Sequence, residues 1–146
     1  MIKDFSEYIK KGIVKEVSPD IERAKSLIEN SDRKKRVLKI QIEKIGINKD
    51  FANEYILLCY DVLMFLIRAE MLSKGYNATG IGAHEAEVSY FRRLGFNEKE
   101  TRFLNQMRYF RNGMLYYGTK LDEEYAKKVI DFTKKISSKL KKHLKL

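Results

Sequence analysis

The stretch Asn48-Lys49-Asp50-Phe51-Ala52-Asn53-Glu54-Tyr55-Ile56-Leu57-Leu58-Cys59-Tyr60-Asp61-Val62-Leu63-Met64-Phe65-Leu66-Ile67-Arg68-Ala69-Glu70-Met71-Leu72-Ser73-Lys74-Gly75 carries the strongest pattern in the chain. Phe51, Tyr55, Leu58, Val62, Phe65, Ala69 and Leu72 recur at three- and four-residue spacing. That is the period of one helix face, and Gly75 closes it. The helix is the most hydrophobic of the chain and is expected to be its most buried. Its apolar core extends only from Tyr55 to Ile67 and contains Asp61. A bilayer core of about 30 Å is too thick for it to span.

Outward from this helix the same period repeats. Ser18-Pro19-Asp20 reads as a helix start, a capping side chain followed by proline in the first turn. Ile21, Ala24, Ile28, Leu38, Ile42 and Ile45 then mark a helix up to Gly46. Residues 76–82 read as a loop, and Ala83 to Leu94 as a short helix ended by Gly95. Asn97, with Glu100 three positions on, opens the next helix, in which Phe103, Met107, Phe110, Met114 and Tyr117 form a stripe. On that stripe Tyr117 is expected to be more buried than Tyr116. Leu121-Asp122-Glu123-Glu124 opens the last helix, with acids first and lysines last, as the helix dipole favours. No Asn-Gly or Asp-Gly pair sits between alternating apolar runs, so sheet signals are thin. The expectation is an all-α fold over residues 1–146: an up-and-down four-helix bundle with a short inserted helix, in one domain.

The composition suits that fold. The chain has 146 residues, 44% of them hydrophobic, including eight Phe and nine Tyr, enough apolar area to exclude disorder as the main state. Thirty basic residues against 20 acidic ones leave a formal charge of +10, which favours an acidic partner, nucleic acid first. The single Cys59 excludes an intrachain disulfide framework, and the N-terminus has no apolar signal region. A soluble, cytoplasmic protein that does not enter membranes is expected.

The helix from Asn97 holds the most informative residues. Leu104, Arg108, Arg111 and Leu115 lie on one face, so two guanidiniums stack on adjacent turns. Paired arginines bind phosphate through planar, two-pronged hydrogen bonds. The plainer reading is a solvated face pairing with carboxylates. The order Arg111-Asn112-Gly113-Met114-Leu115-Tyr116-Tyr117-Gly118, in the penultimate helix of a bundle, resembles the HEPN family (higher eukaryotes and prokaryotes nucleotide-binding). Gly12, Val14, Pro19-Asp20 and Arg23 to Leu27 resemble the opening of its archaeal members. Tyr60-Asp61, Lys74-Gly75-Tyr76 and His84-Glu85-Ala86 are similar to its later blocks.

The resemblance implies RNA or nucleotide binding, a homodimer with both Arg motifs facing one cleft, and a small nucleotidyltransferase partner in a toxin–antitoxin system. In family members that are ribonucleases, the Arg stabilises the scissile phosphate and a His, four to six residues on, assists proton transfer. Here that window holds Tyr116, Tyr117 and Gly118. An unperturbed phenol, with a pKa of about 10, is almost no base at neutral pH, though it donates hydrogen bonds and stacks on bases. What the resemblance implies, then, is an RNA- or nucleotide-binding bundle; it leaves open a degenerate endoribonuclease, with Arg111 and Tyr116 as the candidate catalytic residues. Arg108, Arg111, Asn112 and Tyr117 would bind RNA or nucleotide, and Asp61 would orient the arginine. The rival reading is a non-enzymatic helical scaffold or protein-interaction module, which the missing histidine favours.

Asp61 within an apolar helix needs a partner, and Arg68, Arg36 and Arg111 are candidates. No metal or cofactor is expected. No carboxylate stands at Glu-x-x-His spacing, and Gly80-Ile81-Gly82 lacks the strand and third glycine of a dinucleotide site. His84-Glu85 reads as a cap or surface pair, and His143 as solvated. Two basic runs, Arg33 to Arg36 with Lys39, and Lys134 to Lys145, read as solubilising surface or as a phosphate-tracking one.

Overall fold

A computed structural model describes residues 2–144. The elements in chain order are α1 (Phe5–Lys10), β1 (Val14–Glu16), α2 (Ile21–Ile45), α3 (Ala52–Ser73), β2 (Tyr76–Ala78), α4 (Ala83–Arg93), α5 (Glu98–Tyr117) and α6 (Glu123–His143). The fold is an all-α helical bundle with one small two-stranded sheet. No helix among the described residues is long and apolar enough to cross a membrane.

The 48–75 stretch forms the central helix. The Asn48 side chain accepts hydrogen bonds from the backbone N–H groups of Asp50 and Phe51, a turn that launches α3. α3 packs against α2 and α6, with α4 and α5 closing further sides. It is therefore buried nearly all round rather than along one stripe. Ile56, Cys59, Leu63 and Ile67 are fully buried, whereas Leu58 and Phe65 of the expected stripe are only half-buried. The physical reason is its central place: a helix with neighbours on several sides has no solvent face to leave polar. Ala24 of α2 packs on Ala69 and Leu72, and Ser31 donates to the Val62 carbonyl at 2.8 Å across the same seam.

Helix starts follow the capping chemistry. Asn97 and Glu100 form a reciprocal capping box at α5, and Asp122 caps α6 by accepting from the Tyr125 N–H. At α2 the cap is Asp20, which accepts from the Arg23 N–H, so Pro19 precedes the cap instead of occupying the first turn.

Two elements depart from the expectation. Residues 5–10 form α1, capped by Asp4, and residues 76–78 form β2, not loop, pairing antiparallel with β1. Val14 stands opposite Ala78 and Glu16 opposite Tyr76. Three-residue strands are too short to show an alternating pattern, and this pairing joins segments remote from each other in the chain. Beside it, Gly75 sits at φ +84° with its α-carbon facing the Val17 carbonyl.

Candidate functional site

Gly118, at φ 67°, ends α5 and reverses the chain. The Asn53 side chain holds that turn from α3, donating to the Thr119 carbonyl and accepting from the Leu121 N–H, both at 2.9 Å. α5 is thereby set against the start of α3, with Arg111 directed toward Tyr60 of that helix.

The two arginines are half-buried. Arg108 Nε donates to Asn105 Oδ1 at 2.9 Å, and an Arg111 terminal nitrogen lies 3.5 Å from Asn112 Oδ1. The Arg111 guanidinium rests over the Tyr60 ring, 5.5 Å from its centroid. Neither arginine has a carboxylate within ion-pair distance among the described residues. The face of carboxylate pairs that a solvated helix would show is absent there.

Beneath Arg111 lies a polar cluster that sequence reasoning did not assemble. Tyr60 is fully buried, and its hydroxyl is 3.5 Å from His84 Nδ1. The same Nδ1 is 3.8 Å from Glu87 Oε1, whose side chain is 3% exposed. Arg68 grips Glu87 with two hydrogen bonds of 2.5 and 3.0 Å. Burial, aided by Glu87, pushes the Tyr60 phenol well above its ordinary value, so it stays protonated. Burial first, then the positive charges of Arg111, Arg68 and Arg108, lower the His84 pKa, with Glu87 opposing them. The imidazole is accordingly neutral at pH 7. His84 neither caps α4, whose N-cap is Gly82, nor pairs with Glu85. The residue it faces is one turn further on. The local signal available was His84-x-x-Glu87, a one-turn spacing on a helix.

Asp61 does not orient an arginine. It is 36% exposed and pairs with Lys34 of α2 at 3.3 Å. The α2–α3 seam leaves position 61 at its rim, where a lysine reaches it, while Arg68 is already held by Glu87.

Arg111 and Tyr116 are not brought together. α5 stays helical through Tyr117, so a five-residue separation rotates the two side chains about 140° apart. Tyr116 instead lines a groove of about 640 Å³ with Tyr109, Asn112, Tyr117 and Thr119. Tyr117 is 85% exposed and Tyr116 73%, the reverse of the expected order. The last turn of α5 overhangs the bundle, so continuing the stripe buries nothing. Its neighbours Phe103 and Phe110 do pack, against Phe132 and Tyr125 of α6.

The two basic runs meet. Lys141 of α6 bonds Asp32 of α2 at 2.9 Å, and Lys35 donates to Ser137 at 3.0 Å. Between these helices runs a groove of about 450 Å³ floored by Leu38, Ile42 and Ile130. Lys145, the end of the second run, lies outside the described residues. No three His, Cys, Asp or Glu gather closely enough to hold a metal ion among the described residues.

The class these features define is a basic helical bundle with an arginine-bearing face on its penultimate helix. Compared with family models, curated proteins and solved structures, the chain matches none.

Proposed function

We propose that the chain is an HEPN-like bundle that binds RNA through the Arg108–Arg111 face. The observation that carries this reading is the pair of half-buried guanidiniums on adjacent turns with no carboxylate partner among the described residues, in a chain of net charge +10. Leaving such cations unneutralised is unfavourable unless an anion completes them, and a phosphodiester matches their geometry. Asn112 extends the polar edge, and the exposed Tyr116 and Tyr117 offer rings on which bases stack. A homodimer facing two such sites, and a small nucleotidyltransferase as antitoxin partner, belong to the same reading. So does a cytoplasmic location.

The test is retention of a labelled single-stranded RNA across a salt series. Binding is expected at about 50 mM salt, falling steeply by about 200 mM as Lys and Arg contacts release counterions. Arg111→Ala should weaken it at least severalfold with the fold intact. Salt-insensitive retention, or none at low salt, overturns the reading. A protein-interaction module then stands instead, favoured by the exposed Tyr109, Leu115, Tyr116 and Tyr117.

A further inference from the structure

We propose that the groove between α2 and α6 receives an acidic amphipathic helix from a protein partner. The inference is independent of the RNA-binding reading, whose arginines stand on α5. α2 and α6 each pack on α3 and are bridged directly to one another, Asp32 to Lys141 and Lys35 to Ser137. Residue numbers rise on one helix as they fall on the other, so the two run antiparallel. From those bonds the groove of about 450 Å³ runs on, with Lys39 and Ile42 on one wall and Ile130 and Lys134 on the other.

The groove has two chemical layers. Leu38, Ile42 and Ile130 form an aliphatic floor. Arg36, Lys39 and Lys134 stand at the rim, all three exposed. None of them has a carboxylate within ion-pair distance among the described residues. Of the two acids that line the groove, Asp32 is already held by Lys141, which leaves Glu43 against these cations. Ile40, one turn beyond Arg36 on α2, is 53% exposed and extends the apolar surface outside the rim. A partner that offers aliphatic side chains with carboxylates beside them satisfies both layers at once.

The shape selects a helix. From Asp32 to Glu43 the α2 wall runs for about 16 Å, or three turns. A partner helix with anchors at i, i+3 or i+4, and i+7 lays them along that floor. α2 and α6 keep their backbone hydrogen bonds within themselves, so they offer no edge to an added strand. A third helix packed across these two is the arrangement already present on their other side, where α3 lies. Among the described residues no aromatic ring lines the groove for a base to stack on, which sets it apart from the α5 face.

The experiment titrates the isotope-labelled full chain with a fluorescent synthetic helix of about four turns, leucines on one face and glutamates along both edges. Saturable binding is expected, with amide shifts confined to α2 and α6. Replacing the peptide's leucines by serine, or its glutamates by lysine, should weaken binding about tenfold or more. On the protein, Ile42→Ser should have a similar effect by removing part of the floor. Lys39→Glu with Lys134→Glu, both exposed and so without consequence for the fold, should weaken binding about tenfold by reversing the rim. Arg111→Ala, on another face, should leave the affinity within about twofold. No saturable binding overturns the inference. So does equal binding of the serine peptide, which would show attraction to net charge alone, and so do shifts on α5 in place of α2 and α6. If the labelled single-stranded RNA moves the α2 and α6 amides and the peptide does not, the groove tracks phosphates and the inference falls.

Discussion

Glu87 is the residue on which the cluster depends. Its carboxylate stands between Arg68 and His84, and it sits almost wholly out of solvent. Its two bonds to Arg68 raise that guanidinium's pKa further, the hydrogen bond being the larger cause and burial the opposing one. Glu87→Ala strands the Arg68 charge in a half-buried place. Removing one partner of a buried pair costs about 3–5 kcal/mol, and the partial exposure of Arg68 brings the expected loss to about 2–3 kcal/mol. Urea unfolding should show that loss. A change below about 0.5 kcal/mol, the range of an ordinary surface substitution, would mean that Arg68 finds water or another partner at no cost.

At the level of elements, the small sheet and the Gly118 turn set the bundle's two ends. Gly75 follows α3, and an added β-carbon would meet the Val17 carbonyl oxygen at 2.5 Å in a left-handed backbone conformation. Gly75→Ala combines a backbone clash with an unfavourable φ, and should destabilise by about 2 kcal/mol or more. Gly12 has the same sign of φ with open space around it, so Gly12→Ala is the control for strain without collision. Comparable melting temperatures for the two variants would show that the Val17 carbonyl moves aside freely. At α2 the cap is Asp20, two residues past the expected one. The helix starts at Asn97 and Asp122 were legible in the sequence, since capping is a local bond between a side chain and an amide two or three positions on. β1–β2 was not, because its partners are remote in sequence.

For the whole molecule, the exposed aromatic surface of α5 bears on the proposed homodimer. Tyr109, Leu115, Tyr116 and Tyr117 cluster on the free end of α5, more apolar area than an isolated bundle gains from showing to water. A homodimer joined through this end of α5 would cover part of this surface and set two arginine faces near one axis. Light scattering at micromolar concentration should then give twice the mass of one chain. Tyr116→Asp with Tyr117→Asp should return it to one chain while the helical content stays the same. A native monomer would dismiss this arrangement.

What the sequence by itself determined was local and periodic. The helical period of residues 48–75, the caps and the glycine stops specify helices, because those forces act within a turn or two of chain. It also placed Arg108 and Arg111 on one face, since that follows from the turn of an α-helix. Only the tertiary structure decided what stands opposite them. It gave Asp61 to Lys34, gave Arg68 to Glu87, and set His84 beside the ring that Arg111 covers. Each of those pairings depends on how α2, α3, α4 and α5 cross. Crossing is settled by the fit of buried side chains from distant parts of the chain, which no local pattern records.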